Sequence, residues 1–227
     1  MRSVLKYIRS RNIVNFLVIF YVVGLTGMIF PFTRELFKHL IPFALLMSTF
    51  LLFIFHEDYS NRFWIAAISI FLITYFVEVI GVNTGVLFGD YLYGNTLGLK
   101  LFNTPLIIGI NWIMLIYCTL FIAGRFVKDK YFMAIVAAAA MVVYDFVLEP
   151  SAIYFGMWSW VNGAVPLQNY IAWFFLAFIM NLIAIHFGLV SSKNKVASPL
   201  FFIQLLFFIV LDLWIFAEKI WGGDWFA

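Results

Sequence analysis

Cysteine is nearly absent from this chain. Cys118 is the only one in 227 residues, which excludes an intrachain disulfide and a thiolate zinc site. Charge is scarce too: 11% of the residues are Asp, Glu, Lys or Arg, and the formal net charge is +3. That balance is too small, and too scattered among loops, to point to a nucleic-acid partner. No Asp-rich diphosphate motif, Walker loop or dinucleotide glycine fingerprint occurs, which argues against phosphate chemistry and a nucleotide redox cofactor. A lysine within the last apolar segment is also missing. Lys219 stands at that segment's end, seven residues after Asp212, so a retinal photoreceptor with its Schiff-base lysine is disfavoured.

Apolar residues dominate instead, at 65% of the chain with 29 Phe and 8 Trp. The composition predicts an all-α, polytopic membrane helical bundle in contact with lipid. Seven apolar segments are expected near 12–30, 36–55, 63–82, 105–126, 131–149, 167–190 and 199–217, in a single integral-membrane domain over 1–227. Pro31, Pro105, Pro166 and Pro199 mark their boundaries, because proline is tolerated at a helix start and poor within one. The basic leader over residues 1–12 precedes a first segment without a small-residue cleavage site, so that segment reads as a retained helix.

Counting cations loop by loop sets the expected orientation. Arg2, Lys6, Arg9, Arg11, Arg62, Arg125, Lys128, Lys130, Lys193 and Lys195 fall on one side, and only Arg34, Lys38, Lys100 and Lys219 on the other. This bias predicts a multi-pass protein of the plasma (inner) membrane with a cytoplasmic N-terminus. The two aromatic-rich loops, about 83–104 and 150–166, then share the outer side and are expected to fold back onto the membrane surface.

Those two loops resemble each other. Glu78 precedes Phe88-Gly89-Asp90-Tyr91-Leu92-Tyr93, then Pro105, with Trp112 seven residues later. Glu149 precedes Phe155-Gly156-Met157-Trp158-Ser159-Trp160, then Pro166, with Trp173 seven residues later. The recurrence in helix–loop–helix units of one polarity predicts a parallel internal repeat with a site between the copies. A transporter more often shows inverted repeats or broken helices. Aromatic-x-aromatic spacing puts both rings on one side of an extended segment; an interfacial aromatic belt is the alternative.

The acids carry the candidate chemistry. Asp145 and Glu149 are four residues apart and share a helix face. Two such carboxyls resist joint ionisation, so one is available as a proton donor and the other as a base. Ala134 to Ala140, earlier in the same segment, reads as a packing face. Asp212 either joins the site or hydrogen-bonds Asn181 or Gln204 as structural glue, and the structural reading is preferred. His186 reads as an interfacial histidine, and His56-Glu57-Asp58 as a solvated turn.

At this point Glu78-x-x-Gly81-Val82-x-Thr84-Gly85, Phe88-Gly89-x-Tyr91-x-Tyr93, Leu97-Gly98 and Pro105 resemble the CruF-type carotenoid biosynthesis proteins. So do Asp145-x-x-x-Glu149-Pro150, Trp158-x-Trp160, Gly163, Pro166, Asn169 and Trp173. The match covers about residues 70–180, and Gly163-Ala164-Val165-Pro166 departs from the family's more aromatic form. The resemblance implies hydration of the terminal isopropylidene double bond of an acyclic carotenoid, without cofactor or metal. Glu78, Asp145 and Glu149 are then the catalytic candidates. Tyr91, Tyr93, Asn111, Trp112, Trp158, Trp160, Asn169 and Trp173 are the substrate-binding candidates. The partner is a carotenoid within the bilayer, and a carotenoid cyclase using the same protonation step is the main alternative.

Overall fold

The computed structural model describes residues 10–191 and 193–221. Most of the basic leader, including Arg2, Lys6 and Arg9, lies outside the described residues. The described chain is all-helical apart from short strand pairs. Its helices are α1 (Ser10–Ile29), α2 (Pro31–His39), α3 (Ile41–Ile54), α4 (Asn61–Thr84), α5 (Ile107–Phe126), α6 (Lys130–Tyr154), α7 (Leu167–Phe187) and α8 (Ala197–Trp221). Six of them are long and apolar enough to cross a bilayer, and α2 with α3 makes a bent seventh candidate. The chain is a multi-pass membrane protein.

The bundle is built around α5. Its sequence is apolar on every side, which is the pattern of a helix with neighbours all round, and most of its residues are buried. Helices α3, α4, α6, α7 and α8 all pack against it. Gly109 permits close approach of α4, since a Cβ there would lie 2.7 Å from the Phe71 ring. The other spanning helices turn large apolar side chains outward, as a lipid-facing surface requires.

Three of the expected segments differ in detail from the helices observed. The segment 36–55 is not one straight span: α2 and α3 meet at a 56° bend, with Pro42 in the first turn of α3. Apolar content reports length but not direction, and the proline was the available signal. Pro105 does not open a helix but closes a two-residue hairpin of β2 (Lys100–Leu101) and β3 (Thr104–Pro105). The hairpin turns through Phe102 and Asn103, both at positive φ, as tight hairpins require. Pro150 lies inside α6, which runs on to Tyr154. The proline costs one backbone hydrogen bond, and the turn after it is held by Phe155 N–H to Ser151 O at 2.9 Å and by Ser151 Oγ donating to Asp212 at 2.6 Å. Asp212 is thus tied to Ser151, not to Asn181 or Gln204.

The two aromatic loops pair with each other. β1 (Tyr91–Tyr93) and β4 (Trp158–Trp160) pair antiparallel, with Tyr91 opposite Trp160, Leu92 opposite Ser159 and Tyr93 opposite Trp158. Two flanking bonds extend the pairing symmetrically: Gly94 N–H to Met157 O at 2.8 Å and Val161 N–H to Asp90 O at 3.0 Å. Pairing satisfies backbone groups that would otherwise face a dry interior. Gly89 and Gly156 hold matching positive φ values of 97° and 68° just before the strands. Leu92 and Ser159 point away from the bundle, and the four aromatic rings point into it.

His56 is a further correction. It is 4% exposed, because its ring bridges Tyr117 Oη at 2.9 Å and the Asp58 carbonyl at 2.6 Å. Asn194 and Ser191 donate to the same Tyr117 oxygen, so this network ties the loop before α4 to α5 and to the segment before α8. Glu57 and Asp58 are exposed, as the solvated turn expected there requires, and Glu57 pairs with Lys193.

Candidate active site

The β1–β4 ladder closes over a cavity between α4, α5, α6 and α7. Glu78 comes from α4, about 9 Å of helix rise before its C-terminus, and Asp145 and Glu149 come from α6. All three line the cavity, and their exposures are 2%, 2% and 3%. Burying carboxyl groups this deeply requires hydrogen-bond donors or cations around them. Among the described residues no lysine or arginine makes a salt bridge with any of the three.

Donors from the aromatic repeats take that place. Glu78 Oε2 accepts from Tyr91 Oη at 2.8 Å and Tyr93 Oη at 2.9 Å, and its Oε1 accepts from Trp112 Nε1 at 3.2 Å. Glu149 Oε2 accepts from Trp158 Nε1 at 2.9 Å and Trp160 Nε1 at 3.1 Å. Asp145 Oδ2 accepts a single bond, from Asn169 Nδ2 at 2.9 Å. Burial, and then the Glu78 carboxylate beside them, hold the Tyr91 and Tyr93 phenols well above their ordinary pKa. Both therefore remain donors at neutral pH.

Glu78 and Glu149 are thus each clasped by the aromatic pair that follows them in the chain. Counted along the chain, Asp145 stands as far before Phe155 as Glu78 does before Phe88. The hydrogen bonds nevertheless match Glu78 with Glu149. The two strand pairs complete the symmetry, with Tyr91 against Trp160 at 5.2 Å and Tyr93 against Trp158 at 6.2 Å between ring centroids.

The remaining candidates divide by position. Tyr91, Tyr93, Asn111, Trp158, Trp160, Asn169 and Trp173 line the cavity with the acids. Trp112 does not: it is fully buried behind Glu78 and stacks on Trp173 at 4.3 Å between centroids. Its part is to hold a carboxylate and a neighbouring ring in place. Asn111 Oδ1 is buried without a hydrogen-bond partner among the described residues. The lining also includes residues that the pattern of motifs missed, namely Tyr144, Met157, Ile41, Leu45 and Phe208. Met157 lay inside the repeated motif and Tyr144 beside Asp145, which were usable signals. The other three come from helices outside the repeat and carried none. Among the described residues no three His, Cys, Asp or Glu side chains are arranged to hold a metal ion.

Comparison with known families matches residues 37–222 to a family described as carotenoid biosynthesis protein. The chain belongs to that family. A curated relative, the bisanhydrobacterioruberin hydratase of Haloarcula japonica, is 27% identical over 127 residues. That alignment takes in 50% of this chain and 42% of the relative, so the chain spans less than half of the hydratase's length. No solved structure matches. The matched region contains α3 to α8 and the whole cavity just described.

Proposed function

We propose that this carotenoid biosynthesis protein adds water to the terminal isopropylidene double bond of an acyclic carotenoid end, of the lycopene or γ-carotene type. It would do so in the plasma membrane with its N-terminus in the cytoplasm. One observation carries the reading: three buried carboxyl groups without cations share an aromatic-lined cavity. Protonating an unactivated alkene takes a neutral acid in a site that excludes bulk water. The tertiary cation that forms is stabilised by aromatic faces, and the hydratase name of the Haloarcula relative favours water as the nucleophile.

The roles follow from the donor count. A carboxylate that accepts several hydrogen bonds is favoured as the anion. Glu78, with three donors, is the permanent anion beside the developing cation. Asp145 and Glu149 lie one turn apart and share a proton. Glu149 has two indole donors and Asp145 one amide, so Asp145 holds the proton and Glu149 is the base. The proton passes from Asp145 to the CH carbon of the double bond, leaving the cation on the dimethyl carbon. Water attacks that carbon and gives up a proton to Glu149, and transfer to Asp145 one turn away restores the pair. Asn111 Oδ1 accepts a hydrogen bond from the attacking water. The sum is addition of one water molecule, with no redox change and no cofactor.

Expression in a host that accumulates lycopene or γ-carotene, followed by mass analysis of the pigments, tests this. The expected product gains the mass of water. A product of unchanged mass with a closed ring would replace hydration by cyclisation on the same acids.

A further inference from the structure

The acid cavity does not end at its own walls. A second cavity lies between α1, the α2–α3 elbow and α8. The two share Ile41, Leu45, Tyr144, Met157 and Phe208 as common lining, so the cavities adjoin and these side chains form the boundary, or neck, where one gives way to the other. Val23 of α1, Leu40 at the elbow and Phe43 of α3 line the second cavity and are 52%, 41% and 56% exposed. On a membrane-spanning bundle such a rim faces lipid. At the other end Tyr21 of α1 bridges Ser48 of α3 at 2.9 Å and accepts from Gln204 of α8 at 2.7 Å.

We infer that this second cavity is the binding subsite for the linear polyene body of the substrate, and that the slot between α1 and α3 is its lateral door from the bilayer. This rests on reading the acid cavity as a carotenoid site. The acid cavity receives only the reacting end, and the rest of a long hydrocarbon must leave it through an apolar route. The neck is such a route, with the aromatic face of Tyr144 and the flexible thioether of Met157 among its walls. The elbow has a physical reason to exist here. A straight α2–α3 span would pack along α1, whereas the 56° bend turns Ile41 and Leu45 toward the acids and leaves the slot beside Gly24. A Cβ at Gly24 would meet only the Phe207 ring, at 3.7 Å, so a small residue there keeps the cavity wide without being required by packing.

Two plugs and a protection measurement test the inference. Gly24→Leu and Ala44→Phe enter the cavity from different helices, while Ala139→Phe adds the same bulk on an exposed face of α6. Each protein, in lipid nanodiscs, is titrated with lycopene, and bound polyene is quantified by absorbance after gel filtration. The expected result is at least about tenfold weaker binding in each plug variant, from overfilling a packed space, with Ala139→Phe unchanged. Carbene labelling of the unmodified protein gives a readout that needs no variant: bound lycopene should protect residues 20–28 and 41–45. Lycopene bound without protecting those segments, plug variants binding like the unmodified protein, or no binding at all would each overturn the subsite. Pigment mass is read separately. A protein that binds lycopene with the expected protection but never adds water would sink the hydration reading and leave the subsite standing.

Discussion

Replacing Glu78 by glutamine removes a charge and an acid while keeping the length of the side chain and both of its polar heavy atoms. In the native protein those atoms meet Tyr91, Tyr93 and Trp112. An indole N–H only donates, so the new amide must turn its oxygen toward Trp112 and its NH2 toward the phenols. Phenol oxygens accept as readily as they donate, so the clasp reforms with neutral bonds in place of charge-assisted ones. Losing that assistance costs about 1–2 kcal/mol of stability, small enough for the protein to insert and fold. The catalytic effect is larger. A fixed charge opposite charge that develops in a dry site is typically worth about 10²–10³-fold in rate, so Glu78→Gln should form hydroxylated carotenoid at least about 100-fold more slowly. Tyr91→Phe keeps the charge and removes one donor, and should fall by less. The assay is pigment conversion normalised to folded protein recovered from the membrane. Near-normal conversion by Glu78→Gln would remove the anion from the mechanism and leave the clasp as scaffold.

Asp145→Asn and Glu149→Gln should each cut conversion by about 10²–10⁴-fold, as loss of a proton donor or acceptor does; full activity in Asp145→Asn, measured the same way, would refute its role as the acid. Asp212→Asn changes only the bond to Ser151, so it should lower the thermal midpoint by a few degrees, equivalent to about 1 kcal/mol, and leave conversion intact. Gly94→Ala would set a Cβ 1.9 Å from the Gly156 carbonyl oxygen, so the β1–β4 crossing must open; the melting temperature should drop clearly, with Gly124→Ala, which meets Met133 at an ordinary 3.7 Å, unchanged as control. For His56, Nε2–H donates to the Asp58 carbonyl and Nδ1 accepts from Tyr117, so the folded state needs the neutral ring, and burial lowers its pKa from the ordinary 6.5. The unfolded chain therefore binds the extra proton first: stability is held above about pH 6.5 and lost as pH falls toward the depressed folded value. Thermal melts between pH 8 and 5 should show that slope, and His56→Gln should flatten it.

Much of the framework was legible because lipid imposes a simple rule on sequence. Apolar runs long enough to span must be helices, and Pro166 and Pro199 stand at the starts of α7 and α8 as their chemistry dictates. The acids and aromatic pairs were legible for a different reason. Carboxyls near apolar runs are costly, and their recurrence with Phe-Gly and paired rings marked the two copies. What stayed hidden was direction and distant pairing. Nothing local says that Tyr91 lies opposite Trp160, since strand pairing between separate loops is set by the packing of four helices. The spacing of Trp112 suggested a ring facing substrate, but only the packed structure shows Glu78 and Trp173 taking both its polar and its flat surfaces. His56 was misread because three consecutive polar residues look solvated, and only Tyr117, sixty-one residues on, makes burial affordable.

The recurrence of the motifs also bears on why the cavity has three acids and not two or four. The hydrogen bonds align Glu78 with Glu149, which places Asp145, one turn before Glu149, opposite Thr74 of the first copy. Thr74 is fully buried but bonds its own helix, to the Ile70 carbonyl at 2.8 Å. The next helices diverge in the same way: with Trp112 and Trp173 superposed, Asn169 falls opposite Ile108 and Asn111 opposite Ala172. A strictly twofold cavity would offer equivalent carboxylates on both sides, and hydration needs inequivalent groups, one to give a proton and one to take it. The shared strands and aromatic clasps supply a rigid, symmetric frame, and the unshared Asp145–Asn169 pair supplies the asymmetry. In the proposed hydration, that asymmetry would orient the substrate end, with Asp145 of α6 as the acid on one side of the double bond and Glu78 of α4 as the anion on the other.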